Sequence, residues 1–218
     1  MIIHPQMVQQ SEEWFRARKG RITASNADRI LTPTGKDSSQ WDAYAIELVA
    51  ECIRPDELPS FIGNAHTERG NELEAEARQQ FEQWMNLQVL QVGFVTRDDG
   101  IVGCSPDGLI YQDGEPIAGV EIKCPLAKNH LSYLVDGEIP KAYIPQVHFS
   151  MAITGLPWYF LSYCPGMAPH IALARPDAYT AKMKDAVDRF LIYYAERRRQ
   201  LLKFASLQNA QAHATRPL

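Results

Sequence analysis

The sequence predicts an α/β (α+β) fold in which a mixed central β-sheet is flanked by helices. Three observations carry this expectation. Short β-prone runs at 101–104, 109–111, 117–124 and 158–163 are separated by turn residues. Stretches such as 41–53 and 179–194 place apolar residues at helical spacing. These helical stretches stand before and after the strand-rich middle of the chain.

In order, residues 11–19 read as a helix that Ser11 can cap, with Glu12 and Glu13 in the first turn, where acids suit the helix dipole. A second short helix is expected from Thr23 through Leu31. Between them Arg16, Arg18, Lys19 and Arg21 form a basic turn. Such a turn is either a solvated charge cluster or, with helix N–H groups and hydroxyls nearby, a phosphate site. A Pro/Gly/Ser-rich loop at 32–39 leads to the core helix 41–53, and a further loop is expected at 55–63 with a mobile tip at Gly63–His66.

The stretch 68–85 has a helical stripe of Gly70, Leu73, Glu74, Ala77 and Phe81. Glu74 lies inside that stripe, where a carboxylate is costly unless it is paired or metal-bound. Pairing with Arg78 at i+4 is one solution, and a cation is the other.

One continuous strand is expected over 87–96, followed by a turn at Arg97–Gly100, and the sheet is expected to be mainly antiparallel. Residues 125–136 and 142–154 read as helices, with Pro145 tolerated in a first turn. In the second of these, Tyr143, Gln146 and Ser150 share a face opposite Val147 and Met151. The run 158–163 is expected to be a central strand, with 170–174 as its partner. A long amphipathic helix follows from Tyr179 to Tyr194. Residues 1–205 are expected to form a single domain and 206–218 a flexible tail.

The feature that carries chemistry is the pair of runs around Asp113-Gly114, a hairpin signal. With the turn centred near Gly114, Asp107 and Glu121 lie seven places to either side and so face one another. Glu121 and Lys123 point to one side of the second strand, and Val120, Ile122 and Cys124 to the other. Opposed carboxylates repel. The spacing alone allows either a solvated hairpin face or a cation site. Together with Glu74 the residues form an E…PD…ExK array of hard oxygen donors, which suits Mg²⁺ or Mn²⁺.

Composition narrows the options. A hydrophobic share of 45% and a charged share of 22% fit a globular protein. The amino terminus does not read as a secretory signal, and no run is long enough to span a membrane, so a cytoplasmic location is expected. The four cysteines are singly spaced, which argues against a zinc site or an iron–sulfur cluster. Net charge is −4, so any contact with nucleic acid must come from a local basic patch on an otherwise acidic surface.

Five blocks in order then identify a resemblance. They are Trp14 to Gly20 with Ile22 to Ser25, Arg69 to Glu74, Cys104 to Leu109, Glu121 to Pro125, and Tyr143 to Met151. The chain resembles the lambda-type phage exonucleases, the YqaJ-like viral recombinase family of the PD-(D/E)xK nucleases. The resemblance implies a restriction-endonuclease-like core making residues 1–205 a single nuclease domain. It implies Glu74, Asp107, Glu121 and the main-chain carbonyl of Ile122 as ligands of two Mg²⁺ ions, with Mn²⁺ as a substitute. It makes Lys123 the catalytic lysine, places Gln146 near the active centre, and gives Arg18 and Ser25 the 5′-phosphate of the degraded strand.

The implied activity is 5′-to-3′ removal of mononucleotides from one strand of linear double-stranded DNA. That leaves a 3′ overhang for phage-type recombination with a single-strand annealing protein. The implied assembly is a homotrimer ring. The match departs from the family over 58–68 and weakens after Gly166. Rival readings are an endonuclease on the same metal core, a RecB-like nuclease with a metal cluster, and a non-catalytic DNA-end-binding module.

Overall fold

The computed structural model describes the backbone of residues 1–55 and 65–214, with side chains for residues 1–55 and 72–204. Most of the loop expected at 55–63, and Gly63 and Asn64 of the expected tip, lie outside the described residues; Ala65 and His66 open a helix.

Nine strands form two sheets among these residues. Strands β1 (Ile2–His4), β4 (Phe94–Thr96), β5 (Val102–Cys104) and β2 (Ile22–Thr23) make one, in that order. Strands β3 (Val89–Leu90), β6 (Gly108–Gln112), β7 (Glu115–Lys123), β8 (Trp158–Ser162) and β9 (His170–Ala174) make the other. The sequence pointed to one mixed, mainly antiparallel sheet. The pairing is as expected, five antiparallel pairings and two parallel ones, β2 with β5 and β7 with β8, but the strands divide between two sheets. The run expected as a central strand is β8, an interior strand between β7 and its expected partner β9.

The strand expected across 87–96 is broken into β3 and β4, which join different sheets. Gly93 shows why. A Cβ there would run into the Met7 carbonyl, and the Gly93 N–H donates to the His4 carbonyl at 3.3 Å. The incoming amino-terminal segment packs against the bare backbone of the break, a role only glycine allows without displacement.

Helix α1 (Glu12–Arg18) begins where expected, with Ser11 Oγ accepting from the Trp14 N–H at 3.2 Å. The helix expected from Thr23 to Leu31 is instead a kinked 3-10 segment, Ala24–Arg29. Thr23 Oγ1 meets Ser25 Oγ at 3.2 Å and accepts from Asn26 Nδ2 at 3.5 Å. Local side-chain bonds of this kind compete with the α-helical ladder. Helices α2 (Trp41–Ile53) and α3 (Ala65–Met85) follow the apolar spacing, and α4 (Ala127–Asp136) stops at left-handed Gly137.

Helix α5 (Ile144–Thr154) is buried on nearly every side, including at Ser150 and His148, because it is wedged among the 3-10 segment, β5, β8 and the last helix. Of the face shared by Tyr143, Gln146 and Ser150, the first two are half-buried and Ser150 is fully enclosed. Helix α6 (Ala178–Ala214) extends beyond the periodic stretch.

The five-stranded sheet is covered on both faces. Leu109, Trp158 and Phe160 join the apolar cluster that includes Val147 and Met151 of α5, while Ile110, Val120, Ile122 and Leu161 pack on Ala77 and Phe81 of α3. Covered on both faces, β7 is buried from Ala118 to Ile122, including Glu121.

Candidate active site

The site grows from the β6–β7 hairpin. Asp113 and Gly114 have φ of 52° and 87°, a two-residue left-handed turn. Such a turn pairs Gln112 with Glu115 and by itself would set Asp107 opposite Val120. A register shift at Ile110/Tyr111 inserts one residue on the β7 side, so Gly108 pairs with Val120. Extending that register by one residue sets Asp107 across from Glu121. The Asp107 N–H donates to the Val120 carbonyl at 3.0 Å, and Asp107 Oδ2 accepts from the Ile122 N–H at 2.6 Å.

Glu121 is 2% exposed, so its charge needs partners. Glu121 Oε1 accepts from Lys123 Nζ at 2.5 Å and from Gln146 Nε2 at 2.6 Å. Lys123 Nζ also lies 5.3 Å from the centre of the Tyr143 ring. Glu74 comes from α3. Its Oε1 is paired with Arg78 Nη2 at 2.5 Å, and Arg78 Nε donates to the Asp107 carbonyl at 3.0 Å. Of the two solutions considered for Glu74, the structure shows the first: it has its i+4 arginine, and that arginine ties it to Asp107.

Electrostatics in this cluster follow from burial and crowding. Burial, then the charges of Glu121 and Glu74, push the Asp107 carboxyl well above its ordinary range. Burial also raises Glu74, against the pull of Arg78 and Lys123. Burial would lower Lys123, but Glu121 and Asp107 outweigh it and hold the ammonium above its usual value.

The donor chemistry suits a hard divalent cation: three carboxylates repel one another, and one oxygen of each is already held by a named donor. Among the described residues no three such side chains are gathered at ligand spacing; Arg78 holds Glu74, and Lys123 and Gln146 hold Glu121. A cleft of about 350 Å³ opens beside Glu74 and Arg78, walled by Met7, Gln9, Gln91 and Val92.

The basic turn joins this centre. Arg18 Nη2 donates to Ser25 Oγ at 2.8 Å, and Arg18 Nη1 donates to Ser105 Oγ at 3.0 Å. The guanidinium sits 4.3 Å from the centre of the Trp14 ring, and Trp14 Nε1 donates to Ser105 Oγ at 2.9 Å. Gln9 Nε2 donates to the Pro106 carbonyl at 2.8 Å. The Ser105-Pro106-Asp107 turn is thus held from three sides.

Of the sequence-derived residues, Glu74, Asp107, Glu121, Lys123 and Gln146 form one connected network, with Ile122 joining through its N–H. Arg18 and Ser25 connect to it through Ser105. The reading of the sequence missed Gln9, Ser105 and Tyr143 as parts of the site, and the link from Arg78 to Asp107. Only Arg78 carried a local signal, its i+4 spacing from Glu74.

The family model for the YqaJ-like viral recombinase domain matches residues 13–157. The chain belongs to this family. No curated protein sequence matches significantly. Among solved structures, the chain is similar to the alkaline exonuclease LHK-Exo from Laribacter hongkongensis at 29% identity and a TM-score of 0.77, over 91% of this chain and 100% of that one. The structure of LHK-Exo in complex with dAMP matches with the same figures. A phage-related exonuclease from Haemophilus somnus shares the fold at 14% identity and a TM-score of 0.60, covering 84% of this chain and 96% of that one. The YqaJ-like fold here is of the PD-(D/E)xK type, with Asp107 following Pro106 and Glu121-Ile122-Lys123 on the next strand. Among the described residues no helix is long and apolar enough to cross a membrane.

Proposed function

We propose that this chain is a divalent-metal-dependent 5′-to-3′ exonuclease that degrades one strand of linear double-stranded DNA to mononucleotides. The observation that carries the reading is the union, in one network, of three acids, a lysine and the Arg18–Ser25 pair tied to Ser105. Acids and lysine suit phosphodiester hydrolysis, and a guanidinium and hydroxyl beside them suit the phosphate of a strand end. Membership of the viral recombinase family and the likeness to LHK-Exo support it.

Glu74, Asp107, Glu121 and the Ile122 carbonyl would hold Mg²⁺ or Mn²⁺, two ions in the full site. Such ions polarise phosphoryl oxygens and acidify water. The protein's own groups do the rest. Lys123, whose ammonium lies against Glu121, neutralises charge that develops on the phosphoryl oxygens. Gln146 fixes the Glu121 carboxylate from the other side. Arg18 and Ser25 bind the terminal 5′-phosphate by charge-assisted hydrogen bonds, which fixes the strand polarity.

The 3′ strand left behind is the substrate of a single-strand annealing protein, in keeping with a recombinase family. A ring of three subunits with head-to-tail contacts would retain the duplex and turn basic residues inward on a chain of net charge −4. Light scattering in solution tests the ring: three times 24.6 kDa is expected, and a monomer contradicts it. Digestion of 5′-end-labelled linear duplex with and without EDTA tests the activity. Metal-dependent release of labelled mononucleotide is expected, and binding without release would leave only an end-binding module.

A further inference from the structure

Arg78 does more than neutralise Glu74. Its guanidinium is fixed from three directions: Nε donates to the Asp107 carbonyl at 3.0 Å, Nη2 pairs with Glu74 Oε1 at 2.5 Å, and the Gln91 side-chain oxygen accepts from Nη1 at 3.0 Å and Nη2 at 2.9 Å. That orientation of the Gln91 amide is the one that satisfies both its ends. The Arg78 side chain is only 11% exposed, and the Glu74 side chain 24%.

The planar fork of an arginine can bond two acceptors at fixed separation, which a lysine ammonium cannot reproduce. Its other two anchors, the Gln91 amide and the Asp107 carbonyl, lie outside α3. The guanidinium therefore ties the carboxylate of Glu74, one turn earlier on the same helix, to the backbone of the Asp107 turn. Helix α3 packs on the hairpin through Ala77 and Phe81, and Arg78 adds the polar link between Glu74 and the Asp107 backbone.

We propose that Arg78 is a positioning residue: anchored on Gln91 and the Asp107 carbonyl, it docks one oxygen of Glu74 so that Glu74 and Asp107 can serve the same divalent cation. This rests on the metal-dependent reading above. Partners that orient metal ligands from outside typically contribute about 10- to 100-fold in metal affinity. A purely electrostatic role has the opposite sign, because removing a positive charge beside a cation site strengthens cation binding.

The test is Mn²⁺ binding by calorimetry to the DNA-free wild-type protein and to Arg78→Gln, Arg78→Lys and Gln91→Leu. Circular dichroism and thermal melting serve to confirm folding. Arg78→Gln and Arg78→Lys should each weaken Mn²⁺ binding about tenfold or more, Gln91→Leu should weaken it less, and high Mn²⁺ should restore cleavage by Arg78→Lys. Equal or tighter binding in folded Arg78→Gln overturns the proposal while leaving the metal-dependent reading intact. Should Arg78→Gln fail to fold, wild-type affinity in Arg78→Lys does the same. A wild-type protein that binds no Mn²⁺ removes both.

Discussion

Arg18 donates a hydrogen bond to Ser105 at 3.0 Å, and Ser105 stands two residues before Asp107. The group proposed to receive the strand end is therefore tied to the turn that carries a proposed metal ligand. Recognition of the end and placement of the bond to be cut share one short piece of backbone, itself held by Trp14, Gln9 and Arg78.

The first prediction concerns that pocket. Arg18→Ala should reduce the preference for 5′-phosphorylated over 5′-hydroxyl duplex ends by about 10- to 100-fold, the worth of a hydrogen bond to a charged group. Initial rates on the two substrates, measured side by side, give the ratio. A wild-type enzyme that cuts both at equal rates would remove the pocket from the account.

Lys123 offers a cleaner separation of binding from chemistry. Lys123→Ala should lose about 100-fold or more in cleavage rate, as expected for loss of one preorganised charge at a developing anion. DNA binding measured by fluorescence anisotropy should persist. Parallel loss of both would mean that Lys123 supports the fold or the complex instead of the reaction.

The crowded acids predict a pH dependence. Asp107 and Glu74 have raised folded-state values, so the metal-free fold binds their protons more tightly than the unfolded chain does. That contribution favours folding at low pH and is lost as pH rises from the ordinary carboxylate range through the raised values. A cation binds the ionised forms, so added Mg²⁺ should raise the melting temperature more at pH 8.5 than at pH 6. Thermal melts with Mg²⁺ or EDTA at both pH values measure this, and an equal or larger shift at pH 6 contradicts it.

A stability prediction addresses the support beneath the hairpin. Phe81 of α3 is fully buried against the cluster that contains Val120 and Ile122. Phe81→Ala should cost about 3–5 kcal/mol and lower the melting temperature by roughly 6–20 °C for a chain of this size. A shift of under a few degrees would show that α3 does not clamp the hairpin as described.

Much of this architecture was legible because local chemistry and tertiary need agree. Helix α2 followed its apolar spacing, and the Asp113-Gly114 turn announced the hairpin. The register of Asp107 against Glu121 also matched, though a bulge at Ile110/Tyr111 is what restores it after a two-residue turn. What sequence could not show were contacts between distant segments. Nothing local marks Gly93 as the place where the amino-terminal segment crosses and splits one strand into two sheets. Gln9 and Tyr143 likewise gain their places from tertiary packing, and the burial of Ser150 reflects four neighbours closing around α5. The 3-10 segment after Thr23 was misread because Ser25 and Asn26 favour local bonds over a regular helix.

Whether the network of Glu74, Asp107, Glu121 and Lys123 removes nucleotides from 5′ ends is decided by time-resolved digestion of linear duplex labelled at either the 5′ or the 3′ end, alongside a covalently closed circle. With Mg²⁺, 5′ label is expected to be released as mononucleotide from the start, 3′ label to stay on long single strands, and the circle to stay intact. Early release of 3′ label as mononucleotide, or rapid cutting of the circle, would contradict removal from 5′ ends.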